Sequence, residues 1–209
     1  MQTVALIDYG SGNLHSAEKA LSRVAGEGAG AARICVTSSP EEILKANRIV
    51  LPGVGAFGAC MAALSARDGV IDAMREAVLD KGAPFLGICV GMQLLASRGF
   101  EHGEHKGLGW IAGSVRALKA EGLKIPHMGW NDVQAKEHAL FPPDGDAYFV
   151  HSFCFDAEDP ADIAATATYG ETFPAAIIRG NIAGVQFHPE KSQTYGLSLL
   201  GNFLNWEPS

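Results

Sequence analysis

The chain has 209 residues, 47% of them hydrophobic and 19% charged, with a net charge of −7 and a pI near 5.4. That apolar share can bury a core, which excludes a disordered chain, and the acidic balance argues against a nucleic-acid binder. One domain spanning residues 1–209 is the simplest division of this length.

The N-terminus, Met-Gln-Thr-Val-Ala-Leu-Ile-Asp, has no basic region before its apolar run, so no signal peptide is expected. The apolar stretch from Ala83 to Ala96 is shorter than the ~20 residues of a membrane span. A soluble, cytoplasmic protein is expected. Its cysteines Cys35, Cys60, Cys89 and Cys154 form no CxxC pair, so at least some should be free thiols.

In chain order, Thr3–Ile7 reads as a buried strand, and Gly10-Ser11-Gly12-Asn13 as a turn. Leu14, Ala17, Leu21 and Val24 then follow helical spacing. Ala32–Thr37 is a second strand, and Ser39-Pro40-Glu41-Glu42 opens a short helix. Arg48–Leu51 is a third strand, stopped by Pro52-Gly53. A helical region from Ala56 to Asp80 breaks near Asp68-Gly69. Pro84–Ile88 is a fourth strand, and Val90–Ala96 begins a helix. This alternation predicts a parallel sheet covered on both faces. After a polar loop over Gly99–Gly109 come strand-like runs: Ser114–Leu118, Val133–Ala135, Tyr148–Phe155, Ile163–Thr168, Ala175–Ile178 and Ile182–Phe187. Tyr195–Trp206 reads as a closing helix. The expectation is a single-domain α/β fold, its mostly parallel central sheet flanked by helices and extended by antiparallel strands.

Three segments could carry chemistry. In Gly87-Ile88-Cys89-Val90-Gly91-Met92-Gln93 a cysteine sits between strand and helix, with a glycine two residues to either side. A nucleophile elbow requires that spacing, because strand and helix approach too closely for side chains at those points. The helix N-terminus would favour a thiolate, and the Val90 N–H could meet an oxyanion. The alternative for this segment alone is a buried core cysteine at a strand–helix junction. In Phe187-His188-Pro189-Glu190, residues i and i+2 share a strand face, so Glu190 could hold the His188 imidazole toward a nucleophile. Leu51-Pro52-Gly53-Val54-Gly55 ends a strand in a glycine loop whose N–H groups could complete an oxyanion hole. Asp8-Tyr9-Gly10-Ser11-Gly12-Asn13 lacks the third glycine of a dinucleotide loop. Glu101-His102-Gly103-Glu104-His105 is better read as a solvated loop than as a metal site.

Together these segments resemble the class I glutamine amidotransferases, through a GxCxGxQ elbow at Gly87–Gln93 and an HPE at His188–Glu190. Asp8-Tyr9-Gly10-x-Gly12-Asn13-Leu14, Pro52–Phe57, Pro126-His127-Met128-Gly129-Trp130-Asn131 and Tyr148-Phe149-Val150-His151-Ser152 look like the glutaminase subunits of imidazole glycerol phosphate synthases. Phe153 stands where that family leads one to expect tyrosine. The resemblance implies a Cys89-His188-Glu190 triad and an oxyanion site built by Gly53, Val54, Gly55 and Val90. It also implies glutamine contacts from Gln93, Ser152 and Phe153. No metal or organic cofactor is expected. It further implies a heterodimer with a cyclase subunit that receives ammonia, contacted through Met128, Trp130, Asn131 and Tyr148. The alternatives are a glutaminase serving another synthase, a cysteine peptidase on a similar sheet, and a non-catalytic regulatory subunit.

Overall fold

The computed structural model of the protein describes residues 2–10, 12–26 and 31–208. Ser11, in the expected first turn, lies outside them. The first half alternates strand and helix: β1 (Gln2–Ile7), α1 (Leu14–Ala25), β2 (Ala32–Thr37), α2 (Pro40–Lys45) and β3 (Arg48–Gly53). Next come α3 (Phe57–Ser65), α4 (Val70–Arg75), a π-helical turn over Glu76–Asp80, β4 (Phe85–Cys89) and α5 (Val90–Gln93). Then follow β5 (Arg98–Gly99), β6 (His105–Lys106), β7 (Gly113–Ala117), β8 (His127–Ala135), β9 (Gly145–His151) and β10 (Phe153–Ala157). The chain ends with β11 (Ile163–Tyr169), β12 (Glu171–Arg179), β13 (Ile182–Val185) and α6 (Gln193–Asn205).

Nine strands form one sheet in the order β2-β1-β3-β4-β13-β12-β11-β8-β9. The half from β2 to β13 is parallel and the remainder antiparallel. Burial follows that division. Every residue of β3, β4 and β13 is buried, as helices on both faces require. In β9 buried and less buried residues alternate, as on a sheet with one wet face. A second, four-stranded sheet, β10-β7-β5-β6, packs beside it. Arg116 of β7 forks onto Glu171 of β12 through bonds of 2.7 and 3.0 Å, tying one sheet to the other. Arg48 is buried and donates to the Trp206 carbonyl at 2.6 Å, which fastens the C-terminal segment to β3.

The helix starts have local causes. Ser39 caps α2 with its hydroxyl on the Glu42 N–H, and Pro40 supplies the preset first helical φ. In α1, Ala17, Ala20, Leu21 and Ala25 are buried at the spacing of one helical face. All four cysteines are free thiols. No helix among the described residues is long and apolar enough to cross a membrane.

Several expected elements are corrected. The run Tyr148–Phe155 is two strands, β9 and β10, in different sheets, parted at Ser152. The helix expected over Val90–Ala96 stops at Gln93. The expected loop over Gly99–Gly109 contains β6 and the end of β5. Val133–Ala135 is only the end of a nine-residue strand reaching back to His127.

Close approach of β3, β4 and α5 governs the site. A β carbon at Gly91 would lie 1.8 Å from the Leu51 carbonyl oxygen, and one at Gly87 2.6 Å from that of Gly91. Backbone cannot move aside as a side-chain tip can, so Gly91→Ala should cost about 3 kcal/mol or more of unfolding free energy. Gly201 on α6 has open space around its missing β carbon. There Gly→Ala should stabilise by about 0.5–1 kcal/mol. Urea unfolding of both variants checks the contrast, and similar midpoints would contradict it.

Candidate active site

Cys89 ends β4 and precedes α5, at φ 54° and ψ −111°. For a residue with a β carbon that region is strained by about 1–3 kcal/mol, and it holds only where the surroundings force it. Here Gly87, Gly91 and the β3 register force it: Gly53 pairs with Cys89 across the parallel ladder. Val90 is the first residue of α5, so its N–H has no acceptor within the helix. The strained strand-to-helix turn expected from the glycine spacing is therefore present. Cys89 is only 3% exposed.

The loop beside it is less free than two glycines suggest. A β carbon on Gly53 would stand 2.8 Å from both the Gly91 nitrogen and the Tyr9 hydroxyl. Tyr9 is buried and donates its hydroxyl proton to the Pro52 carbonyl at 2.8 Å. The segment resembling a nucleotide loop thus braces the end of β3. Conformational freedom belongs to Gly55, at φ +105° with nothing near its missing β carbon.

His188 follows β13. Its Nδ1 lies 2.8 Å from Glu190 Oε1, and both side chains are buried. Nε2 of His188 and Oε2 of Glu190 are buried with no hydrogen-bonding oxygen or nitrogen. Burial opposes the imidazolium. The nearby Cys89 and then Glu190 outweigh it, and His188 is pushed up to about 9. The ring is held from behind as well. Its backbone N–H donates to the Tyr148 carbonyl at 2.9 Å. The buried Ser192 hydroxyl donates to the His188 carbonyl at 2.7 Å and accepts the Tyr148 N–H at 2.9 Å.

Sequence reasoning missed Gln186. It is fully buried, and its amide Nε2 stands 3.8 Å from Cys89 Sγ. Its Oε1 accepts from Gln93 Nε2 at 3.0 Å, and Gln93 Nε2 also donates to the Phe153 carbonyl at 3.0 Å. The signal that could have found Gln186 is a polar residue inside an apolar run two positions before His188.

A cavity of about 200 Å³ adjoins Gln93, lined by Gly55, Gln93, Glu101, Pro126, Val150, His151, Ser152 and Phe153, with neither Cys89 nor His188 in its lining. The structure thus brings Gln93, Ser152, Phe153 and Gly55 together. Glu101 was expected in a solvated loop. It lines the cavity instead, and one of its oxygens accepts the Phe57 N–H at the start of α3. His105 of the same loop packs against Gly58.

Two further histidines are linked here, His151 in the cavity lining and His127 beyond it. His151 Nδ1 faces the Phe153 carbonyl at 2.9 Å, and its Nε2 faces His127 Nδ1 at 2.9 Å. Asn131 Nδ2 donates to the Thr168 carbonyl at 2.9 Å and reaches His127 Nε2 at 3.3 Å. A carbonyl can only accept, so His151 carries its proton on Nδ1. Each following tautomer is then fixed, provided both rings are neutral. Burial lowers both, His151 to about 4. The expected contact residues lie on the same sheet end. Met128 is 62% and Trp130 50% exposed, and Trp130 pairs with Tyr148 across β8 and β9 with ring centroids 6.0 Å apart. Asn131 differs from them, because its side chain is tied inward.

The family model for glutamine amidotransferase class-I matches residues 5–206. The chain is 55% identical to "Imidazole glycerol phosphate synthase subunit HisH" of Rhodospirillum rubrum, covering 98% of this chain and 99% of that one. It is 54% identical to the subunit of the same name from Caulobacter vibrioides, covering 100% of both. Among solved structures it is similar to one described as a glutamine amidotransferase, with a TM-score of 0.73 and 20% identity over 97% of each chain. It is also similar to a PurLQS structure from Thermotoga maritima, with a TM-score of 0.71 and 18% identity over 98% of each. These two likenesses bear on the fold.

The neutral burial of His151 gives a signed expectation. Its folded pKa of about 4 lies below the ordinary 6.5, so the unfolded chain binds more protons between those values. This contribution is complete above about pH 6.5 and is lost as the pH falls toward 4, about 3 kcal/mol in all at 1.4 kcal/mol per unit. Urea unfolding from pH 7 to 4.5 should show a steep decline, made shallower by His151→Gln. Equal slopes in the two proteins would contradict the assignment.

Proposed function

The chain belongs to the class-I glutamine amidotransferases, and on that footing we propose that it is the glutaminase subunit of an imidazole glycerol phosphate synthase. It hydrolyses glutamine to glutamate and ammonia. A cyclase subunit, its partner in a heterodimer, uses the ammonia to make imidazole glycerol phosphate and an aminoimidazole carboxamide ribotide in histidine biosynthesis. The observation that carries the catalytic reading is the imidazole of His188, fixed on Nδ1 by Glu190 and pushed up to about 9 by Cys89 and Glu190 against burial.

The chemistry follows from that pairing. The Cys89 thiolate attacks the side-chain carboxamide carbon of glutamine. The resulting oxyanion is met by the Val90 N–H and by amides of Gly53, Val54 and Gly55. His188, protonated at neutral pH, gives its Nε2 proton to the departing nitrogen, and ammonia leaves behind a thioester. The sulfur then carries no negative charge. The Cys89 contribution to His188 disappears with it, and burial lowers the ring toward its neutral form. His188 becomes the base that takes a proton from water as the oxygen attacks the thioester. Glutamate departs and the thiolate returns. Glu190 keeps the ring oriented throughout.

Gln93, Ser152 and Phe153 bound the space for glutamine, and Glu101 is the lining carboxylate suited to its α-ammonium group. Met128, Trp130 and Tyr148 form the docking face for the cyclase: aromatic and methionine side chains at a half-exposed sheet end suit a protein contact. Asn131 serves it from within.

Cys89→Ala should abolish glutamine hydrolysis while preserving fold, partner binding and ammonia-dependent synthesis by the complex. Substantial hydrolysis by the folded variant would remove the nucleophile assignment. Glu190→Gln should reduce turnover less than His188→Ala, because it leaves the acid and base in place. An equal loss would give Glu190 more than an orienting role.

The isolated chain should be a poor glutaminase. Its nucleophile is buried, and the loop carrying the second set of oxyanion donors turns at Gly55. One missing oxyanion donor lowers turnover by roughly 10²–10³. The cyclase with its nucleotide bound should restore at least that factor. Glutamine turnover of the chain alone, of the complex, and of the complex with nucleotide measures it. Full activity alone would defeat gating and leave the triad untouched.

A further inference from the structure

We propose that Gln186 is a positioning residue for the nucleophile: its amide N–H holds the Cys89 sulfur, and its own direction is imposed through Gln93 by the Phe153 carbonyl. The proposal rests on the reading of Cys89 as the nucleophile.

The polarity of this chain has one solution. A backbone carbonyl can only accept, so the atom of Gln93 that faces Phe153 O at 3.0 Å is its NH₂ group. The second hydrogen of that NH₂ is directed at Gln186, 3.0 Å away, so Gln186 must answer with Oε1. Its NH₂ group is then the one turned toward Cys89 Sγ at 3.8 Å. Gln93 and Gln186 are both buried, so water cannot substitute for either partner. A donor aimed at sulfur is a weak contact for a thiol and a stronger, charge-assisted one for a thiolate. The arrangement therefore favours the attacking form and fixes its direction. It also gives Gln93 a second duty: both its donor hydrogens are spent inward, leaving only Oε1 for a ligand in the cavity.

The titratable groups around the sulfur are few. His188 carries Glu190 behind it, and His151 stands close enough to His188 to feel its charge. Gln186 lowers the energy of the anion without adding a proton to that set.

The test uses the full chain with Gln186→Met and Gln186→Glu, both close in shape to glutamine. Alkylation of Cys89 by iodoacetamide is followed peptide by peptide across pH, which separates it from Cys35, Cys60 and Cys154. Glutamine turnover is measured in the complex with a cyclase. Gln186→Met should move the alkylation midpoint up by roughly one unit and lower kcat about tenfold, with KM changed much less. Gln186→Glu, which turns an acceptor toward the sulfur, should move the midpoint further. Gln186→Asn should recover neither, because its shorter amide cannot span Gln93 and the sulfur together. Unchanged alkylation midpoints in folded Gln186→Met and Gln186→Glu would overturn the proposal. So would a loss confined to KM. If Met unfolds the chain, the isosteric Glu variant carries the test alone. Cys89→Ala assayed in parallel reports on the nucleophile itself, so a failure of that reading is distinct from a failure of this one.

Discussion

The site depends on one steric constraint, the contact of backbone with backbone where β3, β4 and α5 converge. At Gly91 not even a methyl group fits against the Leu51 carbonyl. With no side chains in the gap, α5 starts almost on top of the sheet. The last residue of β4, Cys89, then has to take a left-handed φ. The strain at Cys89 is stored by this packing. In return Cys89 stands at the end of β4, next to the first amide of α5, which has no acceptor within the helix. The other groups are placed relative to that point. Gly53 comes by strand register, Gln186 from just past β13, and His188 two residues later.

Proton bookkeeping separates the two histidine environments. His188 lies between Cys89 and the Glu190 carboxylate, and those contacts overcome its burial. His151 has only a carbonyl, a neutral ring and the neighbouring His188, so burial prevails. The site thus contains one imidazole raised by its Cys89 and Glu190 neighbours and one lowered by burial. The neutral one is useful because it is fixed: from Asn131 to Phe153 every hydrogen is assigned without ambiguity.

Much of this was legible in the sequence because it is local. Glycines two residues to either side of Cys89 report a steric need that belongs to one turn, and His-x-Glu at a strand end reports one hydrogen bond. The continuous apolar runs of β3, β4 and β13 marked the two-sided parallel half. What was not legible depends on contacts distant in the chain. Tyr148–Phe155 has no break in its pattern, yet at Ser152 the chain leaves one sheet for the other, which no local propensity records. Glu101 sits in a polar glycine-rich segment like any solvated loop, and only the position of α3 turns it to the cavity. Gln186 reads as one polar residue within a strand. Its meaning needs Gln93, which lies 93 positions earlier.

The departure at Phe153 follows from the same geometry. A missing tyrosine hydroxyl would matter if the side chain supplied a polar contact here. What this position contributes is its carbonyl, shared by Gln93 Nε2 and His151 Nδ1. Any residue provides that atom, so phenylalanine leaves the polarity of the Gln93–Gln186 pair intact. The carbonyl is also where two chains of hydrogen bonds meet, one ending at the Cys89 sulfur and one at Asn131 in the middle of β8. The Tyr148 carbonyl plays a parallel part, accepting the His188 N–H from the strand that pairs with β8. The His188 backbone is thus anchored to the sheet end that carries Met128 and Trp130, while the chain of hydrogen bonds from the Cys89 sulfur ends on β10 of the second sheet. A contiguous network transmits a change only through an element with two arrangements, and packing pins Gly53, Gly87 and Gly91 into one. Of Gly53, Gly55, Gly87 and Gly91, Gly55 retains the room to change, so under the proposed function a partner docked on β8 and β9 would act on that loop without disturbing the strained turn at Cys89.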